Sequence, residues 1–186
     1  MASTYLSKTI TPSNYNRRKF TFSAWIKKAN DGTNNYPVLG FHGSNDYTAF
    51  RISNSDKIDF ICYQSSSVVA RKVSSMKLRD QSGWYHIVFA FDTDNATASY
   101  RNRIYVNGEE ITNFDTDTNA SSGLDLISNN QTNFDIGSNV DQGGTRSYFG
   151  GIMSHVHYCE GYQYSASDFG ETDSTTGIWK PKTAPS

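Results

Sequence analysis

Hydrolysis of a glycosidic bond asks for two carboxyl groups at a set separation, which one β-strand supplies as Glu-x-Asp-x-Glu or a one-residue variant. This chain of 186 residues has four glutamates, Glu109, Glu110, Glu160 and Glu171, and none meets a second at that spacing with an aspartate between. Glu109 and Glu110 are adjacent and so point to opposite faces of a strand, and Glu171-Thr172-Asp173 has no second glutamate. Hydrolysis of that type is not expected, and the chain reads as a non-enzyme. His155-x-His157 would set two imidazoles about 7 Å apart on one strand face, and a shared zinc would need a third ligand, for which His86 is the candidate. Serine is abundant, yet no nucleophile elbow frames one, so a Ser-His-Asp reading has no support.

The stretch that must position any site is Gly83 to Ile111, GWYHIVFAFDTDNATASYRNRIYVNGEEI. Trp84 to Phe91 is aromatic, β-branched or small throughout, the pattern of a strand covered on both faces. Arg103 to Val106 then alternates, Asn107-Gly108 offers the two positive φ values of a type I′ turn, and Glu109 to Ile111 pairs back. Tyr36 to Phe41, Tyr47 to Ile52, Lys57 to Tyr63 and Val68 to Val73 follow one another at roughly ten-residue spacing between turn residues, the rhythm of a sandwich. Phe20 to Lys27 alternates with Trp25 on its mixed face, where it is either covered, which is the expectation here, or part of a ligand surface. The expected core includes Trp84, Ile87, Val88, Phe89, Ile104, Val106, Ile136, Ile152 and Val156. Helix has room for one turn, Ser165 to Phe169, and the long polar run Asn113 to Thr132 is anchored by Leu124, Leu126 and Ile127.

W-Y-H-I-V-F-A-F-D followed by I-Y-V-N-G-E-E-I resembles the middle of concanavalin A-like, laminin-G and pentraxin-like domains. Phe20 to Lys27, Phe134-Asp135-Ile136-Gly137 and Gly150 to Tyr158 match that family in order and spacing. The resemblance implies an all-β, two-sheet antiparallel jelly-roll sandwich, read here as one domain over 1–186 with a C-terminal tail at 171–186. It also implies at most one Ca²⁺ at a sandwich edge, held by Asn45 and Asp46 from one loop and Asn139 and Asp141 from another; oxygen donors of this kind suit a hard cation. Arg146, Ser147 and Tyr148 follow that second loop, where the fold commonly binds ligands, and could offer a sugar an aromatic face and hydrogen bonds. In the same family the His155 strand carries a core or inner-face residue, which argues against zinc.

Ser167 to Asp173, with Gly177-Ile178-Trp179-Lys180-Pro181-Lys182, is similar to such domains in virion proteins of marine bacteriophages. That similarity implies a phage fibre or head-decoration protein binding surface glycans, or a purely structural subunit without glycan binding; other virion proteins and further copies of the chain are the remaining partners. Formal net charge is −1 with signs interspersed, which disfavours nucleic acid. No stretch nears the eighteen apolar residues of a membrane span, and the first thirty residues lack a signal-peptide pattern, so a virion protein made in host cytoplasm is expected. Cys62 and Cys159 are too few for a disulfide framework and read as buried thiols.

Overall fold

Period-two alternation builds both sheets of the computed structural model, which describes residues 4–29 and 35–183. The first eight strands are β1 (Leu6–Thr9), β2 (Lys19–Lys28), β3 (Tyr36–Gly43), β4 (Tyr47–Ile52), β5 (Ile58–Gln64), β6 (Ser67–Ser74), β7 (Tyr85–Asp92) and β8 (Asn102–Val106). The rest are β9 (Glu109–Glu110), β10 (Phe114–Thr118), β11 (Gln131–Ile136), β12 (Ser138–Val140), β13 (Arg146–Tyr148), β14 (Gly151–Glu160), β15 (Gly170–Thr172) and β16 (Trp179–Pro181). One sheet runs in the order β1-β11-β3-β4-β5-β6-β10 and the other β14-β2-β7-β8-β9, every pairing antiparallel. This is the two-sheet sandwich that the alternation and the resemblance imply.

Between the sheets lie Phe20, Phe22, Phe41, Phe50, Phe60, Phe89 and Phe91, all fully buried. Phe50 joins both sheets, with ring centroids 5.1 Å from Phe60 and 4.8 Å from Phe89. β7 is covered on both faces, as its unbroken apolar run requires: Ile87, Phe89 and Phe91 face the core, while Val88 and Ala90 pack under Ala166 and Phe169. Asn107 at φ 49° and Gly108 at φ 91° make the expected turn between β8 and β9.

Five of the nine expected core residues, Ile87, Val88, Phe89, Ile104 and Val106, are buried, and Ile136 and Val156 are partly buried against the core. Trp84 and Ile152 are corrections, at 42% and 60% exposed. Trp84 precedes the first residue of β7 and so escapes the cover given to that strand. In β14 a bulge between Ser154 and His157, with His155 at φ 47°, shifts side-chain parity by one. Met153 and Val156 therefore pack on the core, and Ile152, which pairs with Lys27, faces outward.

The long polar run 113–132 contributes β10 to the edge of the longer sheet, and its anchors Leu126 and Ile127 are fully buried. The expected helical turn is a 3₁₀ turn, Ala166–Asp168, in which the Asp168 carboxylate accepts from the Ser165 N–H at 2.7 Å and hydroxyl at 2.8 Å. Part of the stretch read as a tail is the β15–β16 hairpin, which packs on the outer face of the shorter sheet through Trp179. Cys62 is buried and Cys159 half-buried, both as free thiols.

Candidate functional site

The expected ligand residues lie on the β12–β13 hairpin, in which Asn139 pairs with Ser147 and Val140 with Arg146. Asp141 shapes its turn, one carboxylate oxygen accepting from the Gly143 and Thr145 amides at 2.9 Å each. The hairpin lies against β3 so closely that a Cβ on Gly40 would stand 2.5 Å from Asn139 Oδ1, which makes glycine necessary there. Beneath it is the fully buried carboxylate of Asp135, which accepts from Ser7 Oγ at 2.5 Å, His42 Nε2 at 2.9 Å, and Arg146. Burial alone would push this carboxyl up, but the hydrogen bonds from His42, Ser7 and Arg146 outweigh it and hold the pKa at about 2. Arg146 also donates to Ser138 Oγ at 2.6 Å and lies 4.5 Å from the Tyr5 ring centroid, and Tyr148 packs against Tyr5 at 5.7 Å. The Arg146 guanidinium is thus engaged inside the protein and fastens the hairpin to the sheet.

Beside the hairpin the outer face of the longer sheet carries an aromatic and charged cluster in which Tyr47 and Asp59 are buried and Tyr63 and Arg71 are partly exposed. Tyr47 and the half-buried Tyr63 stack at 5.5 Å with their planes 17° apart. Asp59 takes two hydrogen bonds from Arg51, at 2.8 and 2.9 Å, and two from Arg71 at 3.2 Å. A small polar cleft is lined by Asn35, Pro37, Arg51, Asn139, Asp141 and Ser147, three of which are expected residues and three of which sequence reading missed. Burial pushes the Tyr47 phenol above its usual value, and the charges of Arg51, Asp141, Asp59 and Arg71 act on it in opposing directions.

The four residues implied for calcium fall into two sets. Asn45 is exposed, whereas Asp46 is buried and ties loops together, its oxygens accepting from the Ser65 amide at 3.0 Å, Ser128 Oγ at 2.7 Å and Asn130 Nδ2 at 3.4 Å. Asn139 Oδ1 is buried without a partner against Gly40, and Asp141 holds its own turn. No contact among the described residues joins Asp46 to Asn139 or Asp141, and hydrogen-bond donors surround Asp46 where a cation would need oxygens. As built, the set does not fit one ion. Nor does any group of three or more His, Cys, Asp or Glu side chains among the described residues stand close enough to share a metal. His86, considered as a zinc ligand, accepts at Nδ1 from Trp179 Nε1 at 3.0 Å, which leaves its Nε2 proton for Ser23 Oγ at 2.9 Å. Burial first, then the charges of His157 and His155, lower its pKa to about 4, so it is neutral.

The family model described as the concanavalin A-like lectin/glucanases superfamily matches residues 3–160. The chain belongs to that superfamily. Among solved structures it is similar to a carbohydrate-binding module of a Ruminococcus gnavus sialidase bound to α2,3-sialyllactose, at 15% identity and TM-score 0.57, over 88% of this chain and 94% of that one. It is similar to the native heptameric pentraxin of Limulus polyphemus at 17% identity and TM-score 0.55, over 83% of this chain and 68% of that one. It is also similar to domain 4 of an extracellular arabinanase of Geobacillus stearothermophilus in complex with arabinotriose, at 16% identity and TM-score 0.56, over 79% and 63%. At these identities the likeness is one of fold. No match was found among the curated proteins.

Within this superfamily member, Tyr47, Tyr63, Arg51, Asp59 and Arg71 escaped sequence reading because they sit in ordinary strands. The signal that could have found them is the alternation itself, which sets polar and tyrosine side chains at 47, 51, 59, 63 and 71 on the face opposite Phe50 and Phe60. Three successive basic side chains are paired, Arg17 and Arg18 with Asp125 and Lys19 with Asp92. Glu110, Glu160 and Glu171 contact Arg103, the Asn16 amide and Lys180 in turn, and none contacts a second carboxyl group.

Proposed function

We propose that this chain is a non-enzymatic glycan-binding domain, displayed on a virus particle, whose sugar site is the outer face of the longer sheet beside the β12–β13 hairpin. The observation that carries the reading is the Tyr47–Tyr63 stack next to the Arg51–Asp59–Arg71 lattice and the Ser147–Asp141 rim. A pyranose ring packs its C–H face on an aromatic ring while its hydroxyls take hydrogen bonds from charged and polar groups, and the accessible members here, Arg71, Ser147 and Tyr63 braced by the buried Tyr47, are of both kinds. The sialyllactose and arabinotriose complexes of proteins with the same fold support the reading, and the similarity of residues 167–182 to marine phage virion domains supports the setting. Tyr148 and Ser147 belong to the rim, and Arg146 acts by holding the hairpin.

A glycan array probed with a multivalent display of wild type, Tyr63→Ala and Tyr148→Ala, each confirmed folded, tests this. Loss of one stacking partner should lower wild-type signals about tenfold in Tyr63→Ala, with a smaller loss in Tyr148→Ala. A blank array for folded wild type overturns the reading.

One observation favours a structural subunit instead. Leu6 at 70% exposure and Ile152 at 60% stand at the open edge of the sandwich, beside an apolar groove lined by Ile136, Phe149, Met153 and Val156. Such an edge could join neighbouring copies or other virion proteins. Sedimentation of Leu6→Ser with Ile152→Ser against wild type separates the two: self-association lost in the variant, together with a blank array, selects the subunit.

A further inference from the structure

On the opposite side of the molecule, the outer face of the shorter sheet carries a second cleft, of about 310 Å³, lined by Trp25, Trp84, Ser154, His155 and Pro181. That volume lies at the lower end of small-ligand pockets, which run from about 300 to 1,000 Å³. The walls other than Trp84 are held in place. The Trp25 ring stacks on His86 at 5.1 Å and 18°, and His86 is pinned from either side by Ser23 and by Trp179 Nε1. Pro181 arrives on β16, whose docking residue Trp179 bonds the edge of the same imidazole through Nε1 at 3.0 Å. His155 occupies the bulge of β14 at φ 47°, where a non-glycine residue is uncommon, and its Nδ1 is 2.8 Å from Ser154 Oγ. A hydroxyl donated to Nδ1 places the proton on Nε2, which has no partner among the described residues.

The chemistry of the lining narrows the occupant. Among the described residues no Asp, Glu, Lys or Arg lines the cleft, so those residues give an ionic group nothing to pair with. Two indoles and a proline ring offer flat apolar walls, one of them a tryptophan left 42% exposed, while Ser154 and His155 place hydrogen-bonding groups at one side. A ring with C–H groups on its faces and neutral hydroxyls on its edge matches that combination. We infer that the Trp25–Trp84 cleft is a second carbohydrate subsite, selective for a neutral pyranose and separate from the hairpin face. The site stands whether or not the hairpin face binds sugar, since the two share no residue. With both faces engaged, one chain bridges two glycans across the thickness of the sandwich.

The test titrates ¹⁵N-labelled protein with methyl α-glucopyranoside, methyl β-galactopyranoside, methyl α-mannopyranoside and N-acetylglucosamine, following the indole N–H resonances. Expected is a saturable shift of the Trp25 and Trp84 signals with at least one sugar, and binding at least tenfold weaker in Trp84→Ala. The shift persists in Tyr63→Ala, which separates this subsite from the hairpin face. His155→Gly removes the imidazole while suiting the φ of that position, so it should weaken binding without lowering the melting temperature. Three results overturn the inference: no saturable indole shift with any of the four sugars, a shift of equal affinity in Trp84→Ala, or self-association of wild type that Trp84→Ala abolishes, which would make the cleft a contact between copies.

Discussion

His86 shows how a residue in the middle of a strand comes to hold two parts of the fold together. It is fully buried, stacked on Trp25, bonded at its edge by Trp179, and neutral, with its pKa lowered from 6.5 to about 4 by burial and then by its histidine neighbours. An unfolded chain takes up a proton at this residue as pH falls through 6.5, while the folded chain refuses it until about 4. Its contribution is therefore complete above pH 6.5 and is lost on acidification toward 4, on the order of 3 kcal/mol in all. Asp135 adds a second loss of the same sign further down, between its ordinary 3.8 and about 2. Melting temperature should fall between neutral pH and pH 4, and His86→Gln, which keeps a donor and an acceptor but gains no proton, should flatten that slope. An unchanged slope in His86→Gln would assign the acid sensitivity elsewhere.

At the scale of elements, the β15–β16 hairpin is what turns the outer face of the shorter sheet into a structured surface. Trp179 bonds His86, and it also lies over the β8–β9 turn, where a Cβ on Gly108 would come within 2.8 Å of the indole. Gly108 thus answers two demands, a positive φ and the close approach of a ring. Trp179→Ala should cost about 2–3 kcal/mol, below the 3–5 kcal/mol of a fully enclosed ring because one side is open. The same change should expose the 170–183 segment to protease while the two sheets stay folded. Simultaneous loss of sheet and hairpin protection in hydrogen exchange would instead make the hairpin part of the main cooperative unit.

For the whole molecule, stability lies between the sheets, and both proposed binding faces lie outside them. Phe89→Ala should therefore cost about 3–5 kcal/mol, while Trp84→Ala, half-exposed on the outer face, should cost under about 1 kcal/mol in denaturant melts; equal losses would place Trp84 in the core after all. The sandwich class, the strands from Tyr36 to Val73, the Asn107–Gly108 turn and the two-sided burial of β7 were legible in the sequence because period-two alternation and positive φ are demands made by neighbouring residues. The placement of Asn139, Asp141 and Ser147 near one cleft was legible only through the resemblance. Ile152 was misplaced because one inserted residue at the β14 bulge reverses every side chain beyond it, and no residue type announces that insertion. Arg146 could not be recognised as a fastening, nor Asp46 as a tie between loops, without knowing which buried groups they meet. His42 to Asp135 and His86 to Trp179 each span 93 residues, so those contacts, and the two faces they shape, are decided only when the sheets close and bring distant strands together.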